Sequence, residues 1–218
     1  MLEILLNHYP VLLEGLATTL VVSLSAIALG LVLGVLLAFG LTSRHGLVRW
    51  PCGLYRSFWR GTPILLQLLL VYYLLPEVGI EIAPISAAIL TLTLNTAAFQ
   101  SEIFRSGISH IPAGQIEAAR MAGISSWQTR RRIIMPQVFR LTLPPLTNEI
   151  ITILKNSSLI SVIAVTELMR VSEQIASRTF QPLETYLAAA LLYLAVNLVL
   201  ALLSAHLERR MTGGLATD

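Results

Sequence analysis

The sequence predicts an all-α integral membrane protein with about five membrane-spanning helices. Hydrophobic residues make up 55% of the 218 positions and charged residues only 12%, whereas an ordinary soluble domain is about 25% charged. The mean hydropathy of +0.74 indicates more apolar surface than one water-soluble core can bury. The few charges are concentrated between long charge-poor runs, as expected when those runs cross a bilayer. We therefore treat residues 1–218 as a single membrane domain.

Five charge-poor runs mark the predicted spans. They cover residues 16–41, 62–75, 85–104, 150–165 and 186–206. The first is long enough for a helix of roughly 25 residues, and the second has Pro63 at its start, where the first turn of a helix tolerates proline. The third run contains Glu102 and the fourth contains Lys155. Gly30 and Gly34 in the first run fit either close packing of another helix or ordinary glycines of a membrane helix.

The positions of the arginines predict which side of the membrane each loop occupies. Twelve of the fourteen arginines follow the first, third or fifth run. Only Arg170 and Arg178 fall on the other side, together with most of the glutamates. Because basic loops stay in the cytoplasm, we expect the N-terminus outside and the C-terminus in the cytoplasm. A pI near 9.4 could suggest that the protein binds nucleic acid. The concentration of arginines in the cytoplasmic loops explains the high pI without such a partner.

Residue types that carry catalysis or bind metals are scarce. The only aspartate is Asp218, the only cysteine is Cys52, and the four histidines lack the spacing of a metal site. The sequence has no G-x-x-x-x-G-K-[ST] phosphate-binding loop, and the single lysine, Lys155, falls in a predicted span. We therefore expect no catalytic residues, no metal site, no cofactor and no enzymatic activity. If ATP drives this protein, another chain binds and hydrolyses it.

A basic polar segment, residues 117–136, separates the third and fourth runs. We call the stretch around it, about residues 108–140, the cytoplasmic loop. Its first part predicts a short helix over residues 113–121, because these are good helix formers and Pro112 is tolerated at a helix start. Gly123 is well placed to end that helix in the left-handed conformation.

A second short helix is predicted over residues 126–135. Ser125 and Gln128 have the spacing of a capping box at its start, and Pro136 disfavours its continuation. Composition leaves two roles open for this pair of helices. The small residues of the first helix would let a partner protein approach its backbone, whereas the arginines at 130–132 would equally favour anionic lipid headgroups.

The same segment resembles the EAA signature of ABC importer permeases. The pattern is Glu117-Ala118-Ala119, then Gly123, then Ile133 and Met135-Pro136. The family usually has leucine before the final proline, and methionine is a conservative departure. The resemblance implies that the ATPase-coupling residues are Glu117, Ala118, Ala119, Gly123, Ile133 and Pro136.

Four further motifs resemble the polar amino-acid branch of this family, which includes the histidine, arginine, glutamine and cystine permeases. They are RGTP at 60–63, NTAAF at 95–99, SEIFR at 101–105 and LKNSSL at 154–159. Several separated motifs in the right order, spread over nearly the whole chain, are far more specific than an EAA tripeptide alone.

The resemblance implies a multi-pass permease subunit of the bacterial cytoplasmic (inner) membrane. Its implied partners are two ABC ATPase subunits that bind the ATP, a second permease subunit, identical or different, and an extracytoplasmic amino-acid-binding protein. The cytoplasmic loop would then be the coupling helix that seats in a groove of the ATPase. The alternative is a secondary transporter or channel subunit that works without an ATPase, but the inverted repeats that would favour it are not evident.

Polar residues in and beside the fourth run predict a substrate path. On a helix, Glu149 and Asn156 share a face about 10 Å apart along the axis, and an ionisable residue within a span, such as Lys155, is a functional candidate. The predicted set is Glu149, Thr152, Lys155, Asn156, Ser157 and Ser158. A purely structural role is the alternative, in which Lys155 pairs with Glu149 or Glu102, or bonds backbone carbonyls, for packing.

Two details refine these expectations. Many relatives have aspartate at the position of Asn156 and threonine at that of Ser157, so a neutral or anionic amino acid is favoured over a cationic one. Glu102 and Arg105 are three residues apart, so they are expected to pair with each other or to hold the cytoplasmic loop rather than to bind substrate.

Overall fold

The computed structural model describes residues 2–212, and every regular element in that part of the chain is helical. The all-α class is therefore confirmed for these residues, while Asp218 lies outside them. The helices are α1 Leu2–Leu41, α2 Gly46–Gly61, α3 Ile64–Glu77, α4 Pro84–Ser109, α5 Ala113–Met121, α6 Ser126–Thr129, α7 Met135–Asn156, α8 Leu168–Thr179 and α9 Pro182–Thr212. A π-helical segment, Arg130–Ile134, joins α6 to α7, and a 3₁₀ segment, Ser157–Ile163, follows α7.

Length and composition identify the candidate membrane spans among the described residues. Helices α1 and α9 are each long and apolar enough to cross a bilayer. Two bent pairs meet the same requirement if each pair forms one span: α2 with α3, and the helical stretch 126–163 with α8. Helix α4, which contains the predicted run 85–104, does not meet the requirement by itself. The count of five spans and the orientation therefore stay predictions.

The centre of the fold is the packing of α1 along α4. A Cβ atom placed at Gly34 would lie 2.9 Å from the Cβ atom of Gln100, and one at Gly30 would overlap the γ-methyl group of Thr96. Only glycine leaves room for α4 at these two positions. Of the two explanations for the glycine pair, close helix packing is therefore the one that the structure supports.

Helix α2 differs from the sequence-based expectation. The second span was predicted over residues 62–75 alone, with the preceding arginines in a loop. Instead, α2 packs on α1 and α4 and meets α3 at an angle of 110°, and the Tyr55 hydroxyl donates a hydrogen bond of 2.7 Å to the carbonyl of Leu94. The arginines of α2 concealed this helix, because they interrupt the charge-free pattern by which spans are recognised.

The second helix of the cytoplasmic loop does not end before Pro136. The chain continues through the π-helical segment into α7, and Pro136 occupies the first turn of α7. In the π turn the N–H of Met135 donates to the carbonyl of Arg130, five residues earlier. This wider turn accommodates a residue that has no N–H to donate, so the helix passes the proline.

The fourth predicted run, 150–165, is also corrected. The α-helix ends at Asn156, and the tighter 3₁₀ segment follows and ends at Ala164, whose φ of 64° is left-handed. Helix α8 then packs between α1 and α9. A cluster of buried residues joins the three helices: Ile4, Leu12, Leu168, Val171, Ile175, Ala188 and Ala189.

Candidate coupling loop and substrate path

The first part of the cytoplasmic loop folds as the sequence predicts. Helix α5 begins directly after Pro112 and is followed by Gly123, whose φ is 72°. The N–H of Gly123 donates to the carbonyl of Arg120 at 3.0 Å, and the N–H of Ile124 donates to the carbonyl of Ala119, also at 3.0 Å. These two bonds satisfy carbonyls that the end of a helix leaves free, and the left-handed glycine makes them possible.

Helix α5 presents one open face and one packed face. Glu117 and Ala118 are exposed, and Met121 is 91% exposed. Ala119, in contrast, is only 4% exposed and packs inside the loop. The exposed residues toward the end of this element include Glu117, Ala118, Met121 and Ala122. A change at Ala119 therefore acts on the packing of the loop itself.

The second part of the loop begins with the predicted capping box. The N–H of Gln128 donates to the Ser125 hydroxyl at 3.3 Å, and the N–H of Ser125 donates to the Gln128 side chain at 3.3 Å. Ile133 is half-buried and Pro136 is exposed. The two parts of the loop are also joined directly, because the side chain of Gln137 in α7 donates to that of Gln115 in α5 at 2.7 Å.

An ionic cluster around Glu102, in the last part of α4, joins α4 to α2. Glu102 pairs with Arg105, as expected from their spacing. It also accepts a hydrogen bond of 3.2 Å from Arg56 of α2. The sequence does not reveal this second partner, because Arg56 precedes Glu102 by 46 residues. The cluster joins α2 to α4, and Lys155 is not among the partners of Glu102.

Glu149 on α7 faces α4. Its side chain is 8% exposed and accepts a hydrogen bond of 2.9 Å from the Thr96 hydroxyl. That hydroxyl accepts in turn from the Gln100 amide at 3.1 Å. A carboxylate enclosed between helices is thus bound by one neutral donor, the Thr96 hydroxyl, and forms no ion pair among the residues whose side chains the structure describes.

The other predicted path residues separate into two groups. Ser157 is buried, and its hydroxyl donates to the carbonyl of Leu154 at 2.7 Å, so it faces the protein core. Thr152 and Lys155 are exposed, and Asn156 and Ser158 are half-buried. Lys155 forms no ion pair within residues 2–212, so pairing with Glu149 or Glu102 is not its role in this structure.

An open groove of about 310 Å³ brings part of this set together. Lys155 and Ser158 line it, opposite Tyr186 and Tyr193 of α9 and beside Met169 of α8. The structure therefore places Lys155 and Ser158 on an accessible surface and Glu149 and Ser157 in the interior. The even polar stripe predicted from helical spacing is interrupted where the α-helix changes to 3₁₀ after Asn156.

Sequence reasoning missed a polar cluster at the bend between α2 and α3. The amide of Gln67 donates to the carbonyl of Trp59 at 2.9 Å and to the Thr62 hydroxyl at 2.7 Å. The amide of Asn95 donates to the Gln67 side chain at 2.8 Å. At the bend, the carbonyls of Trp59 and Thr62 accept hydrogen bonds from these side chains. The cluster is next to Thr96, which follows Asn95 in α4. Two amides in otherwise apolar runs, Gln67 and Asn95, were the available signal.

Comparisons with known proteins agree with this architecture. Residues 30–213 match the family described as binding-protein-dependent transport system inner membrane component. The glutamine transport system permease protein GlnP of Escherichia coli K12 is 38% identical over 204 residues, which cover 93% of each chain. The L-cystine transport system permease protein TcyB of Bacillus subtilis 168 is 35% identical over 206 residues, covering 94% of this chain and 88% of that protein.

A solved structure is similar over the same extent. A crystal structure of an amino acid ABC transporter with histidines superposes with a TM-score of 0.89 and 34% identity, over 94% of this chain and 96% of that one. The inward-facing MetNI methionine ABC transporter superposes with a TM-score of 0.71 at 22% identity, which supports the fold alone. From its sequence and its fold, the chain belongs to the amino-acid ABC transporter permeases, within the family of binding-protein-dependent inner membrane transport components.

Proposed function

We propose that this chain is the permease subunit of an ATP-driven importer for a polar amino acid. In this proposal it forms the translocation path and couples that path to a separate ATPase. It lies in the bacterial cytoplasmic membrane with two ATPase subunits, a second permease subunit and an extracytoplasmic amino-acid-binding protein. The observation that carries the proposal is the cytoplasmic loop, a capped helix pair with an exposed face.

Rigidity is what coupling requires. ATPase subunits move as rigid bodies, and a loop that transmits such a movement must not deform. The α5 end is fixed by the Gly123 turn and the α6 start by the capping box. The bond between Gln137 and Gln115 then joins α5 to α7, which continues toward Glu149. A displacement of α5 would therefore reach the polar interior without a flexible connection.

The substrate path in this proposal runs along α7 past Glu149, Thr152, Lys155, Asn156 and Ser158. Polar side chains from α4 and from the bend between α2 and α3 lie close by, including the Thr96 hydroxyl bonded to Glu149. Amides, hydroxyls and one ammonium group suit the zwitterionic head of an amino acid. With asparagine rather than a carboxylate at 156, a neutral or anionic amino acid is the favoured substrate.

The test is uptake in proteoliposomes that contain this chain, the ATPase that co-purifies with it and the corresponding binding protein. A panel of labelled amino acids is supplied outside and ATP inside. We expect uptake of one or a few polar amino acids that requires both ATP and the binding protein. Uptake that persists without the ATPase would instead identify a secondary transporter or channel subunit.

A further inference from the structure

A cleft of about 210 Å³ lies between α5 and the helix that follows it. Its walls are formed by Ile116, Arg120, Ser126, Thr129, Arg130 and Ile134. Both arginines are exposed, and neither guanidinium group has an ion pair or hydrogen-bond partner among residues 4–210, whose side chains the structure describes. The ion pairs of that part of the chain are located elsewhere. The cleft contains no acidic residue, so it is a concave site with two uncompensated positive charges.

The cleft is held in shape by its own backbone. Thr129, at its floor, is 4% exposed, and its hydroxyl donates to the carbonyl of Ser125 at 3.0 Å. On the opposite wall, the bond from Ile124 to the carbonyl of Ala119 fixes the end of α5. The two walls that carry Arg120 and Arg130 are thus set before any partner binds, which lowers the cost of binding.

The position of the cleft indicates the source of its ligand. Arg130 precedes Glu149 by nineteen residues of continuous helix, or about 28 Å along the axis. Glu149 bonds Thr96, which lies at the middle of α4. The sequence predicts that α4 crosses the bilayer; its middle would then lie about 20–22 Å from the outer limit of the headgroups, and an average helix tilt of about 20° changes this little. On this prediction the cleft lies beyond the headgroups, on the side that the arginine distribution assigns to the cytosol.

We propose that this cleft receives a carboxylate side chain of the ATPase subunit, an inference that rests on the function proposed above. Arginine guanidinium groups bind carboxylates through two parallel hydrogen bonds. Near the cleft, Met121 is 91% and Trp127 is 70% exposed, and large apolar side chains of this kind exclude water at protein interfaces. An acidic residue flanked by apolar surface matches both features, whereas a free phosphate or a lipid headgroup matches only the charge.

The sequence allows a direct test by zero-length crosslinking. The chain has a single lysine, Lys155, which lies far from the cleft in the fold. Carbodiimide joins a lysine amine to a carboxylate that touches it, so R120K and R130K each introduce a reactive amine at the cleft. The matched control is R140K, because Arg140 is also exposed but lies outside the cleft. Each variant is tested in the assembled transporter, together with the wild-type protein.

We expect R120K and R130K, but not R140K or the wild type, to form a covalent product with the ATPase subunit. Mass spectrometry should map that product to an ATPase aspartate or glutamate. The charge reversal R130E should lower retention of the ATPase on the tagged permease at least about tenfold, as the loss of a desolvated charge pair does. R140E should leave retention within about twofold.

Two outcomes would overturn the inference. One is no crosslink from either cleft lysine in a transporter that retains its ATPase and takes up substrate. The other is equal crosslinking of R140K, which would indicate a non-selective basic surface. Both leave the proposed function intact, because ATP-driven uptake by the wild-type protein is measured separately. If the wild-type chain retains no ATPase at all, it is the proposed function that fails.

Discussion

The side chain of Glu167 accepts a hydrogen bond of 2.9 Å from the Tyr193 hydroxyl, which joins the start of α8 to the middle of α9. The same carboxylate caps α8 by accepting from the N–H groups of Met169 at 2.9 Å and Arg170 at 2.7 Å. It also accepts from the Thr19 hydroxyl of α1 at 3.4 Å. Glu167 is fully buried, so one carboxylate holds three helices together directly after the 3₁₀ segment.

Removal of this carboxylate should destabilise the protein. In E167A two helix N–H groups and the Tyr193 hydroxyl lose their acceptor, whereas the Thr19 hydroxyl keeps the carbonyl of Gly15 at 3.1 Å. We therefore expect a loss of about 2–4 kcal/mol in unfolding free energy, the sum of a lost cap and buried unpaired donors. Y193F removes one donor and should cost about 1 kcal/mol. The measurement is thermal unfolding of the purified protein in detergent.

The control for this comparison is E173Q. Glu173 is also on α8, but it is partly exposed and pairs only with Arg170. Its replacement should cost less than about 0.5 kcal/mol, as is usual for an exposed pair. If E167A unfolded at the same temperature as E173Q, Glu167 would not be the tie between these helices.

A second prediction concerns the contact between α1 and α4. In G30A the new methyl group would overlap the γ-methyl of Thr96, the residue whose hydroxyl bonds Glu149. Overpacking of this kind costs about 1–3 kcal/mol, so G30A should lower both thermal stability and uptake. T96S removes the obstructing methyl group and keeps the hydroxyl. The double variant G30A/T96S should therefore be more stable than G30A.

The matched control is G53A. Gly53 is also a helical glycine, but a Cβ atom there would meet nothing within 4 Å. Alanine is favoured over glycine in a helix by about 1 kcal/mol, so G53A should be neutral or slightly stabilising. Failure of T96S to restore any of the stability lost in G30A would show that the overlap is not the cause.

Local signals in the sequence predicted the cytoplasmic loop well. The Gly123 turn and the capping box of Ser125 and Gln128 depend on residues within a few positions of each other. Pro136 was misjudged, because the penalty of a proline in a helix is local, whereas the π turn that relieves it depends on how the whole segment packs. A proline therefore predicts the end of a helix only where the preceding turn cannot widen to accommodate it.

Contacts between residues that are distant in the sequence could not be predicted. From the sequence, Glu167 is one of the glutamates on the less basic side of the membrane, whereas in the structure it caps the start of α8. Its partner Thr19 is 148 residues earlier in the chain, and Arg56 is 46 residues earlier than Glu102. Nothing in a single sequence connects such pairs. The predicted substrate path was inaccurate for a different reason. Its even spacing assumed that the α-helix continues beyond Asn156, where the structure has a 3₁₀ segment.

The two alanines of the EAA signature should respond differently to substitution. A118D places a charge on the exposed face of α5, so the permease should remain as stable as the wild type while retention of the ATPase falls. A119D places the charge where only 4% of the residue is exposed, and burial of an unpaired charge is costly. A119D should therefore lower thermal stability as well.

Both variants are measured for melting temperature and for ATPase retained on the tagged permease. A result in which A118D and A119D lose the same stability would contradict the inward packing of Ala119. A result in which A118D retains the ATPase fully would instead exclude the exposed face of α5 as the docking surface. The two measurements thus separate the fold of the loop from its proposed role.

The last prediction addresses the charge of the substrate. Asn156 is half-buried and lies seven residues after Glu149, so N156D would add a second carboxylate to the proposed path. Two charges about 5 Å apart interact by about 3 kcal/mol at an effective dielectric constant near 20. We expect N156D to raise the uptake of a cationic amino acid relative to a neutral one by at least about threefold, measured with the binding protein in excess.

T152D is the matched control for position. Thr152 is one turn before Asn156 and exposed, so its replacement adds the same charge at a nearby site. A similar gain in both variants would indicate general electrostatic attraction of cations to the path. A gain confined to N156D would assign selectivity to residue 156, and an unchanged profile in N156D would leave selectivity to the binding protein, because the permease would then not distinguish the charge of its substrate.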